Sequence, residues 1–388
     1  MAIERRVLDV GILAGEPSGD LLGAGLMHAL RTRVPDVRFR GVGGPLMLAA
    51  GLEPLAPIST FSMNGFVEPL KRFPRLLRVI RALRDAYLAD RPDVFVGVDF
   101  NVFNLLLERL LKRRGIRTAH YVSPSVYAWR RGRVKRIGRA ADLVMTLYPF
   151  EPPLYAEHGV HAEFVGHPLA DEIEPVDATA SARSQLGIPT NRLVVALLPG
   201  SRMSELRAHG ELFMRTAEMF EKILDDATAQ CPVLFLLPCV DERSRRELET
   251  LAQRFPALAL RVLPNAAHLA LAAADVALVK SGTGSLEAML FGKPMVVTYR
   301  LGALSYAIVK ALLRTPFVAL PNILAGRRLV PELLQHDAQP QRLADALLAE
   351  LERGRAGNHL TDFRMLHGSL RRGANQRAAA AVLSLIDR

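Results

Sequence analysis

Short apolar runs alternate with amphipathic stretches along most of this chain, and the alternation occurs twice. Continuous apolar runs of about four to eight residues are typical of strands that are buried on both faces of a parallel sheet. Helical stretches between consecutive strands provide the crossovers that a parallel sheet requires. The pattern therefore predicts an α/β protein with two Rossmann-like domains, each built on a mostly parallel sheet, that face each other across a cleft.

Two sets of elements support this prediction. In the first half we expect strands at 7–14, 94–98, 117–122 and 142–146, and helices at 20–31, 74–90 and 103–114. In the second half we expect strands at 193–198, 233–238, 259–263, 275–279 and 295–299. The alternation stops near Asp171 and restarts at Leu193 after a polar segment. The expected domains are 1–171, a linker at 172–192, a second domain at 193–365, and a final helix within 366–388 that packs back on the first domain.

Hydropathy and cysteine content exclude several classes of protein. No uncharged apolar run reaches the roughly 18 to 20 residues that a membrane-spanning helix needs. Asp9 interrupts the short N-terminal run, unlike a secretory signal. Cys231 and Cys239 flank one apolar run and form no disulfide or metal-binding pattern. We therefore expect a cytoplasmic protein whose thiols are buried and inert.

The net charge of +11 comes from two segments. Residues 70–84 and 130–139 together hold twelve of the 50 basic residues and no acidic residue, and the rest of the chain has 38 basic against 39 acidic residues. Such segments face an anionic partner, which can be nucleic acid, a phospholipid surface or a phosphorylated substrate. Aromatic residues make up only 6% of the chain, and no nucleic-acid-binding motif is recognisable. Nucleic acid is therefore the least favoured partner.

The first basic segment has apolar residues at helical spacing with basic residues on both flanks, and bulky apolar residues precede it. This composition is typical of an amphipathic helix at a membrane surface. A helix whose apolar stripe packs on its own domain gives the same spacing, so both interpretations stay open. The residues that we assign to a membrane surface are Met63, Phe66, Val67, Leu70, Phe73, Arg75, Leu76, Leu77, Arg78 and Arg81.

Two glycine-containing loops in the second half each follow a predicted strand and lead into a predicted helix. Backbone N–H groups at a helix N-terminus favour an anion, and the serine and arginine side chains of the first loop can add to them. A plain turn with a capped helix gives the same local pattern. The carboxylate after the second loop, expected in the first helical turn, can bind a ribose diol or complement the helix dipole. The residues assigned to this nucleotide diphosphate pocket are Gly200, Ser201, Arg202, Ser281, Gly282, Thr283 and Glu287.

Seven segments in this order resemble the lipid-A-disaccharide synthases, which are inverting glycosyltransferases of the GT-B type. They are GEPSGD, GVGGPLM, HYVSPSVYAWRRGRVKRIGR, FVGHPLAD, LLPGSR, KSGTGSLEAMLFGKPMVV and LPNILAGRRLVPELLQ. The resemblance implies condensation of UDP-2,3-diacylglucosamine with 2,3-diacylglucosamine 1-phosphate (lipid X), through an inverting β(1→6) linkage, to form lipid A disaccharide 1-phosphate and UDP. It implies no metal and no other cofactor.

The same resemblance implies a division of labour, with the nucleotide held by the second domain and the acceptor by the first. Glu16 or Asp99 can then act as the base for the attacking hydroxyl, and Arg202 can stabilise the departing diphosphate. Relatives commonly carry a second aspartate where this chain has Val102, so the choice of base stays open. Asp20 is expected to cap the helix that follows it. The other residues assigned to the acceptor side are Ser18, Ser123, Trp129, Arg130 and Asn322.

Several alternatives accompany these assignments. The second basic segment can hold the acceptor phosphate or form a solvated turn with Trp129 in the core. Asn322 can contact substrate or cap a turn after Pro321. His120 is expected to form a hydrogen bond at the edge of the cleft, and acylated substrates imply peripheral binding to the inner face of the inner membrane of a Gram-negative bacterium. The rival function is that of another GT-B-type UDP-sugar enzyme, an epimerase or a transferase with a soluble acceptor.

Overall fold

Every strand pairing among the residues that the computed structural model describes is parallel. The described residues are 7–61, 68–124, 126, 131–227, 233–302 and 315–387, with the backbone alone at 68–75, 131 and 225–227. They fall into two units, one made of Met1–Asp171 with Ser369–Arg388 and the other of Glu172–Gly368. Each unit contains one parallel sheet, so the predicted α/β class with two Rossmann-like parts is confirmed.

The first part of the chain supplies a seven-stranded sheet. Its elements are β1 (Leu8–Ala14), α1 (Pro17–Arg33), β2 (Val37–Val42), α2 (Pro45–Ala49), β3 (Leu52–Pro54), α3 (Glu68–Ala89), β4 (Val94–Val98), α4 (Asn101–Lys112), β5 (Arg117–Tyr121), α5 (Val134–Gly138), β6 (Leu143–Thr146), α6 (Pro152–Ala156), β7 (Ala162–Phe164) and α7 (Pro168–Glu172). The strand order is β3-β2-β1-β4-β5-β6-β7. The apolar pattern misses β2, β3 and β7, because Arg38 and Arg40 interrupt β2 and the other two strands have three residues each.

The remainder of the chain supplies a six-stranded sheet and the last helix. Its elements are α8 (Thr179–Leu186), β8 (Leu193–Leu198), α9 (Met203–Ala227), β9 (Val233–Cys239), α10 (Glu242–Ala252), β10 (Leu260–Pro264), α11 (Ala267–Ala273), β11 (Val276–Lys280), α12 (Thr283–Leu290), β12 (Met295–Tyr299), α13 (Leu320–Ala325), β13 (Glu332–Leu334), α14 (Pro340–Arg355), α15 (Leu360–Leu370) and α16 (Ala374–Ile386). The strand order is β10-β9-β8-β11-β12-β13. Each strand predicted in this half is present, and the short β13 is one strand more than predicted among the residues that the structure describes here.

Both sheets contain a point where the chain order reverses between two neighbouring strands. In the first sheet these are β1 and β4, with Ala14 opposite Val98, and in the second they are β8 and β11, with Leu198 opposite Val279. Ligands of doubly wound sheets bind beyond the carboxyl ends of the strands at such a point. The loops after these four strands are therefore the candidate site of each unit.

The helix α16 completes the buried core of the first unit. Its Ala378 and Val382 are fully buried in one cluster with Val10 and Ile12 of β1. Arg117 of β5 also donates a hydrogen bond to the Leu385 carbonyl. The C-terminal segment of the chain therefore belongs to the unit that contains the N-terminal strand.

Residues 172–192, which we expected to be a linker, contain a helix of the second unit. Arg183 of α8 donates to the Asp275 carboxylate at 2.7 Å and to the Ala273 carbonyl at 3.0 Å. The arginine side chain is 8% exposed. The polar composition of this segment thus reflects a partly buried ion pair that ties α8 to the sheet, and not an open connection.

The helix α3 corrects part of the membrane assignment. Leu76 is 2% exposed and lies in a buried cluster with Ile80, Leu83 and Tyr87, so the apolar stripe of this stretch packs inside the unit. Leu77 is half-buried, whereas Arg78 and Arg81 are exposed. Three assigned residues lie outside the described residues, and three more are described by their backbone only, so these stay predictions: Met63, Phe66 and Val67, then Leu70, Phe73 and Arg75.

Candidate active site

The loop after β1 places Glu16, one of the two candidate bases, at the edge of the first sheet. Glu16 is the N-cap residue of α1, with an extended backbone and a half-buried side chain, and Ser18 is exposed in the first helical turn. A Cβ at Gly15 would lie 2.5 Å from the ring of Phe100, which follows β4. The glycine therefore allows the loop after β1 to pack closely against the loop after β4.

Asp20, in the first turn of α1, has a structural role that differs from the expected one. Asp20 is 3% exposed, and its carboxylate accepts hydrogen bonds from the backbone N–H groups of Gly44 at 2.8 Å and of Leu46 and Met47 at 3.0 Å. These groups open α2, so Asp20 caps a different helix from the one that contains it. A Cβ at Gly44 would lie 2.5 Å from the carboxylate, which explains the glycine there.

Asp99 follows β4 in a strained backbone conformation. Its φ is +49° and that of Phe100 is +46°, in the left-handed region that costs a residue other than glycine about 1–3 kcal/mol. The Asp99 N–H donates to the Tyr121 carbonyl at 2.7 Å, and Asn104 Nδ2 donates to the Asp99 carbonyl at 2.8 Å. These bonds hold a half-buried carboxylate at the end of β4, in the position next to the loop of Glu16.

His120 lies inside the first unit, so the expectation of a histidine at the edge of the cleft is wrong. Its side chain is 0% exposed, with Nδ1 2.7 Å from Glu108 Oε1 and Nε2 2.9 Å from Asn101 Oδ1. Asn101 Nδ2 donates to Asp99 Oδ1 at 3.3 Å. Burial raises the pKa of the Glu108 carboxyl, and the proximity of His120 and Lys112 opposes this rise. Sequence reasoning gives no sign of Glu108 or Asn101, because the contacts depend on how α4 packs on β5.

The predicted acceptor residue Ser123 faces the interior. It is 7% exposed, and its hydroxyl lies 2.7 Å from the Tyr155 hydroxyl. Nearby, Glu151 is fully buried, and this burial raises its pKa to about 8 although Tyr148 N–H donates to it. Ser123 is therefore part of a buried polar cluster and not of an open acceptor surface. Two other acceptor residues lie outside the described part of the chain and stay predictions: Trp129 and Arg130.

The loop after β8 is organised by Glu205 of α9. Gly200 has a φ of +137°, and a Cβ there would lie 2.5 Å from Glu205 Cβ. The N–H groups of Ser201 and Arg202 donate to Glu205 Oε2 at 3.2 and 3.4 Å. Two backbone donors that we predicted for the diphosphate thus bind a carboxylate of the protein. The Arg202 side chain is 69% exposed, which leaves its guanidinium accessible to a ligand.

Lys280, the last residue of β11, is a cation that the sequence analysis overlooked. Its Nζ donates to Glu205 Oε1 at 2.9 Å and lies 5.1 Å from the centroid of the Tyr299 ring. Burial acts to raise the pKa of the Glu205 carboxyl, but Lys280 and Arg202 outweigh this effect and lower the pKa. The site therefore holds two cations around one ionised carboxylate, and the remaining positive charge suits a diphosphate. A lysine directly before a small-residue loop is the signal that would have found it.

The loop after β11 brings a helix N-terminus to the same edge of the second sheet. Ser281 N–H donates to the Thr298 carbonyl and its hydroxyl donates to the Val318 carbonyl, both at 3.0 Å. Gly282, with a φ of +149°, precedes the first residue of α12, the exposed Thr283. Because β8 and β11 are neighbours, this N-terminus and the loop of Arg202 emerge side by side, as the sequence predicts. The Ser281 hydroxyl, however, is directed into the fold.

Glu287 lies one turn further along α12 than we expected. The helix begins at Thr283, so Glu287 is in its second turn and is too far from the N-terminus to complement the dipole there. Its Oε2 is 3.7 Å from His268 Nε2, and burial raises the pKa of the carboxyl while His268 lowers it. A half-buried carboxylate beside an imidazole can still accept hydrogen bonds from a diol.

Asn322 supports its own loop and does not face a ligand. It is 0% exposed, and its Oδ1 accepts from the Leu329 and Val330 N–H groups at 2.7 and 2.9 Å. Its Nδ2 donates to the Val330 carbonyl at 2.9 Å and to Glu332 Oε1 at 2.8 Å. All four hydrogen-bonding positions of the amide are thus used within the second unit, which corrects the assignment to the acceptor side.

We expect Asn322→Ala to lower the free energy of unfolding by about 2–5 kcal/mol, because it leaves buried backbone groups without partners. Urea denaturation measures the change, and Gln341→Ala on the exposed face of α14 is the control, expected within about 0.5 kcal/mol of the parent. Unchanged stability together with a raised Michaelis constant for substrate would restore Asn322 to the substrate site.

Comparison with known proteins decides the family. A family model described as Lipid-A-disaccharide synthetase matches residues 10–385. The chain belongs to the lipid-A-disaccharide synthase family. The lipid-A-disaccharide synthase of Pseudomonas aeruginosa (strain UCBPP-PA14) is 47% identical over 98% of this chain and 99% of its own length. That of Azotobacter vinelandii is 48% identical over 98% of this chain and 99% of its own length. That of Methylobacillus flagellatus is 44% identical over 97% of this chain and 99% of its own length. The resemblance found in the sequence motifs is confirmed.

Solved structures of a glycotransferase and of an epimerase share the fold of this synthase-family chain. The glycotransferase of kitacinnamycin aligns with a TM-score of 0.64 at 17% identity, covering 98% of this chain and 99% of that one. UDP-GlcNAc 2-epimerase from Neisseria meningitidis, bound to UDP-GlcNAc, aligns with a TM-score of 0.60 at 10% identity over 97% and 99%. At these identities the likeness concerns the fold alone, and it confirms the GT-B-like architecture.

Proposed function

We propose that this chain transfers diacylglucosamine from UDP-2,3-diacylglucosamine to the primary hydroxyl of 2,3-diacylglucosamine 1-phosphate and releases UDP. The observation that carries the proposal is membership of the lipid-A-disaccharide synthase family over nearly the whole chain. The geometry supports it, because the two strands that meet at the switch point of each sheet end in polar side chains. In the second unit, Arg202 lies in the loop after β8 and Lys280 ends β11, whereas in the first unit Glu16 and Asp99 follow β1 and β4.

In this proposal the second unit binds the nucleotide. Arg202 and Lys280 attract the diphosphate, and the N-terminus of α12 at Gly282 adds partial positive charge. Glu205 holds both the loop of Arg202 and the ammonium of Lys280 in place. Glu287 accepts hydrogen bonds from the ribose hydroxyls. The cations act most strongly when the bond to the diphosphate breaks, since negative charge then develops on the leaving oxygen.

The first unit supplies the base for a single displacement. The acceptor hydroxyl oxygen forms a bond to the anomeric carbon as the bond from that carbon to the UDP oxygen breaks, and UDP leaves with the electron pair. The hydroxyl proton passes to Asp99, from which it returns to solvent. We favour Asp99 over Glu16 because several hydrogen bonds hold its strained backbone and its carboxylate in place. Attack opposite to the leaving group inverts the anomeric centre.

Incubation of the purified protein with both acylated substrates tests the proposed function. We expect stoichiometric release of UDP and of the acylated disaccharide 1-phosphate, and no release with an acceptor that lacks acyl chains. Calorimetry with UDP alone should show binding that weakens in a Lys280→Ala variant. Epimerisation of a UDP-sugar, or transfer to a soluble acceptor at the same rate, would contradict the proposal.

Peripheral binding to an anionic membrane surface is a further part of the proposal. None of the described helices is long and apolar enough to cross a bilayer. Both substrates carry acyl chains, and α3 exposes Arg78 and Arg81 on the face opposite its buried stripe. Each basic side chain near an anionic surface contributes about 1 kcal/mol to binding. We therefore assign membrane contact to this face, without Leu76.

Charge reversal on α3 tests this part separately. We expect Arg78→Glu with Arg81→Glu to reduce sedimentation with vesicles that contain phosphatidylglycerol by about tenfold or more, since attraction becomes repulsion. The matched control is Lys222→Glu with Arg243→Glu, which makes the same charge change at exposed positions of the second unit. Equal losses in both double variants would show that net charge, and not this face of α3, drives the binding.

A further inference from the structure

A chain of hydrogen bonds runs from the interior of the first unit to Asp99, and the displacement described above does not by itself require it. Glu108 Oε1 lies 2.7 Å from His120 Nδ1, and His120 Nε2 lies 2.9 Å from Asn101 Oδ1. Asn101 Nδ2 then donates to Asp99 Oδ1 at 3.3 Å. The chain links two adjoining elements, α4 and β5, to the carboxyl end of β4.

The packing around Glu108 and His120, at the inner end of this chain of hydrogen bonds, leaves room for a buried carboxyl. Glu108 and His120 are both 0% exposed, and a Cβ at Gly97 would lie 2.1 Å from Glu108 Oε1. The glycine on β4 therefore makes room for the carboxyl. Glu108 Oε2 is buried and makes no hydrogen bond within the described residues. An unpartnered buried oxygen is unfavourable for folding, so stability is a poor explanation for the pair.

The order of donors and acceptors along this chain of hydrogen bonds follows from Asp99 at its outer end. An ionised carboxylate only accepts, so Asn101 presents its Nδ2 to Asp99 and its Oδ1 to His120. His120 Nε2 must then carry a hydrogen. One proton remains for the short contact between Nδ1 and Glu108 Oε1. Nε2 carries its hydrogen whichever of these two atoms holds the proton. Burial raises the pKa of the Glu108 carboxyl, which favours the arrangement in which Glu108 holds it.

We propose that Glu108 and His120 are positioning residues, which fix one orientation of the Asn101 amide so that this amide orients Asp99 toward the acceptor hydroxyl. This rests on the proposed role of Asp99 as the base. The other charged groups around the chain are accounted for. Lys112 of α4 faces Glu108 and is paired with Asp142 at 2.9 Å. Glu16 of the loop after β1 is the other carboxylate on the side of Asp99.

Asn101→Asp tests the hydrogen bond to Asp99 while it keeps the one to His120. The variant keeps an oxygen to accept from His120, but it places a second carboxylate against Asp99. Two carboxylates at hydrogen-bond distance repel each other when both are ionised, so one of the pair keeps its proton to a higher pH. We therefore expect an acidic limb of the pH–rate profile shifted upward by about one pH unit, so that kcat is up to about tenfold lower on that limb and recovers as the pH rises. The UDP dissociation constant should stay within about twofold, since the nucleotide is held by the other unit.

Glu108→Gln tests the inner end of the chain. The amide N–H2 group of the introduced glutamine can donate to His120 Nδ1, which preserves the hydrogen on Nε2, so we expect kcat within about threefold of the parent and an unchanged pH–rate profile. Glu108→Leu removes this support and should lower kcat by about tenfold or more with an unchanged UDP dissociation constant. Should Glu108→Leu fail to fold, the comparison of Glu108→Gln with Asn101→Asp still decides.

The control and the outcomes distinguish this inference from the proposed function. Arg109→Ala, at an exposed position of the same helix, should leave both kcat and the pH–rate profile unchanged. Folded Asn101→Asp with lower kcat but the parent pH–rate profile would overturn the positioning role. A folded Glu108→Gln as inactive as Glu108→Leu would do so too. Near-parental turnover in Asp99→Asn would instead show that Asp99 is not the base, and it would contradict the proposed mechanism.

Discussion

We expect Asp99→Asn to lower kcat by about 10²–10⁴-fold, because an amide cannot take the proton of the acceptor hydroxyl. The fold should survive, since asparagine tolerates the left-handed backbone at this position and its Oδ1 can still accept from Asn101. Release of UDP from saturating substrates measures the loss. Circular dichroism and the thermal midpoint establish that the variant is folded.

Glu16→Gln, measured in the same assay, separates the two carboxylates. Glu16 precedes the helix whose first turn holds the capping residue Asp20, so the isosteric change should also leave the protein folded. A smaller loss in Glu16→Gln than in Asp99→Asn is the expected order. The reverse order would transfer the role of base to Glu16 and would leave the nucleotide site unaffected.

Arg202→Ala should lower kcat by about 100- to 1000-fold, the effect of removing one group that stabilises developing charge. The guanidinium is 69% exposed, so its loss should not alter the thermal midpoint appreciably. UDP should bind more weakly in calorimetry, and Arg202→Lys should restore part of the activity, since a lysine keeps the charge but not the planar fork.

The matched control for this prediction is Arg207→Ala on α9, the helix that begins directly after Arg202. Its side chain is 62% exposed and pairs with Glu247, away from the strand ends. We expect parental kinetics in this variant. Parental kinetics in Arg202→Ala as well would place the diphosphate elsewhere and would leave Lys280 as the cation to test next.

Local sequence patterns were sufficient for the strands that are continuous apolar runs and for the position of the loops that follow β8 and β11. Strands buried on both faces are continuous apolar runs, so β8 and β11 stand out, and the glycines at 200 and 282 mark the turns that follow them. A strand interrupted by charge, such as β2, gives no such signal. Its Arg40 is buried and paired with Asp9 at 3.0 Å, a contact that only the sheet creates.

Partners that are distant in sequence account for most of the errors. Asp20 has the right residue type for a cap, but the helix that it caps begins 25 positions later, at Pro45. Leu76 has helical spacing that suits a membrane as well as a core, and spacing alone cannot distinguish these environments. Lys280 and Glu205 are 75 positions apart and meet because β11 lies beside β8. In each case the tertiary pairing, and not the local pattern, determines the role.

The return of α16 to the first unit affects how the chain can fold during synthesis. Most of the first unit leaves the ribosome before the second unit, but the helix that covers Val10 and Ile12 is translated after it. The nascent first unit must therefore wait with part of its apolar surface uncovered while the second unit is made, and such surfaces favour aggregation. Removal of α16 should therefore destabilise the first unit, although the second unit separates the two in sequence.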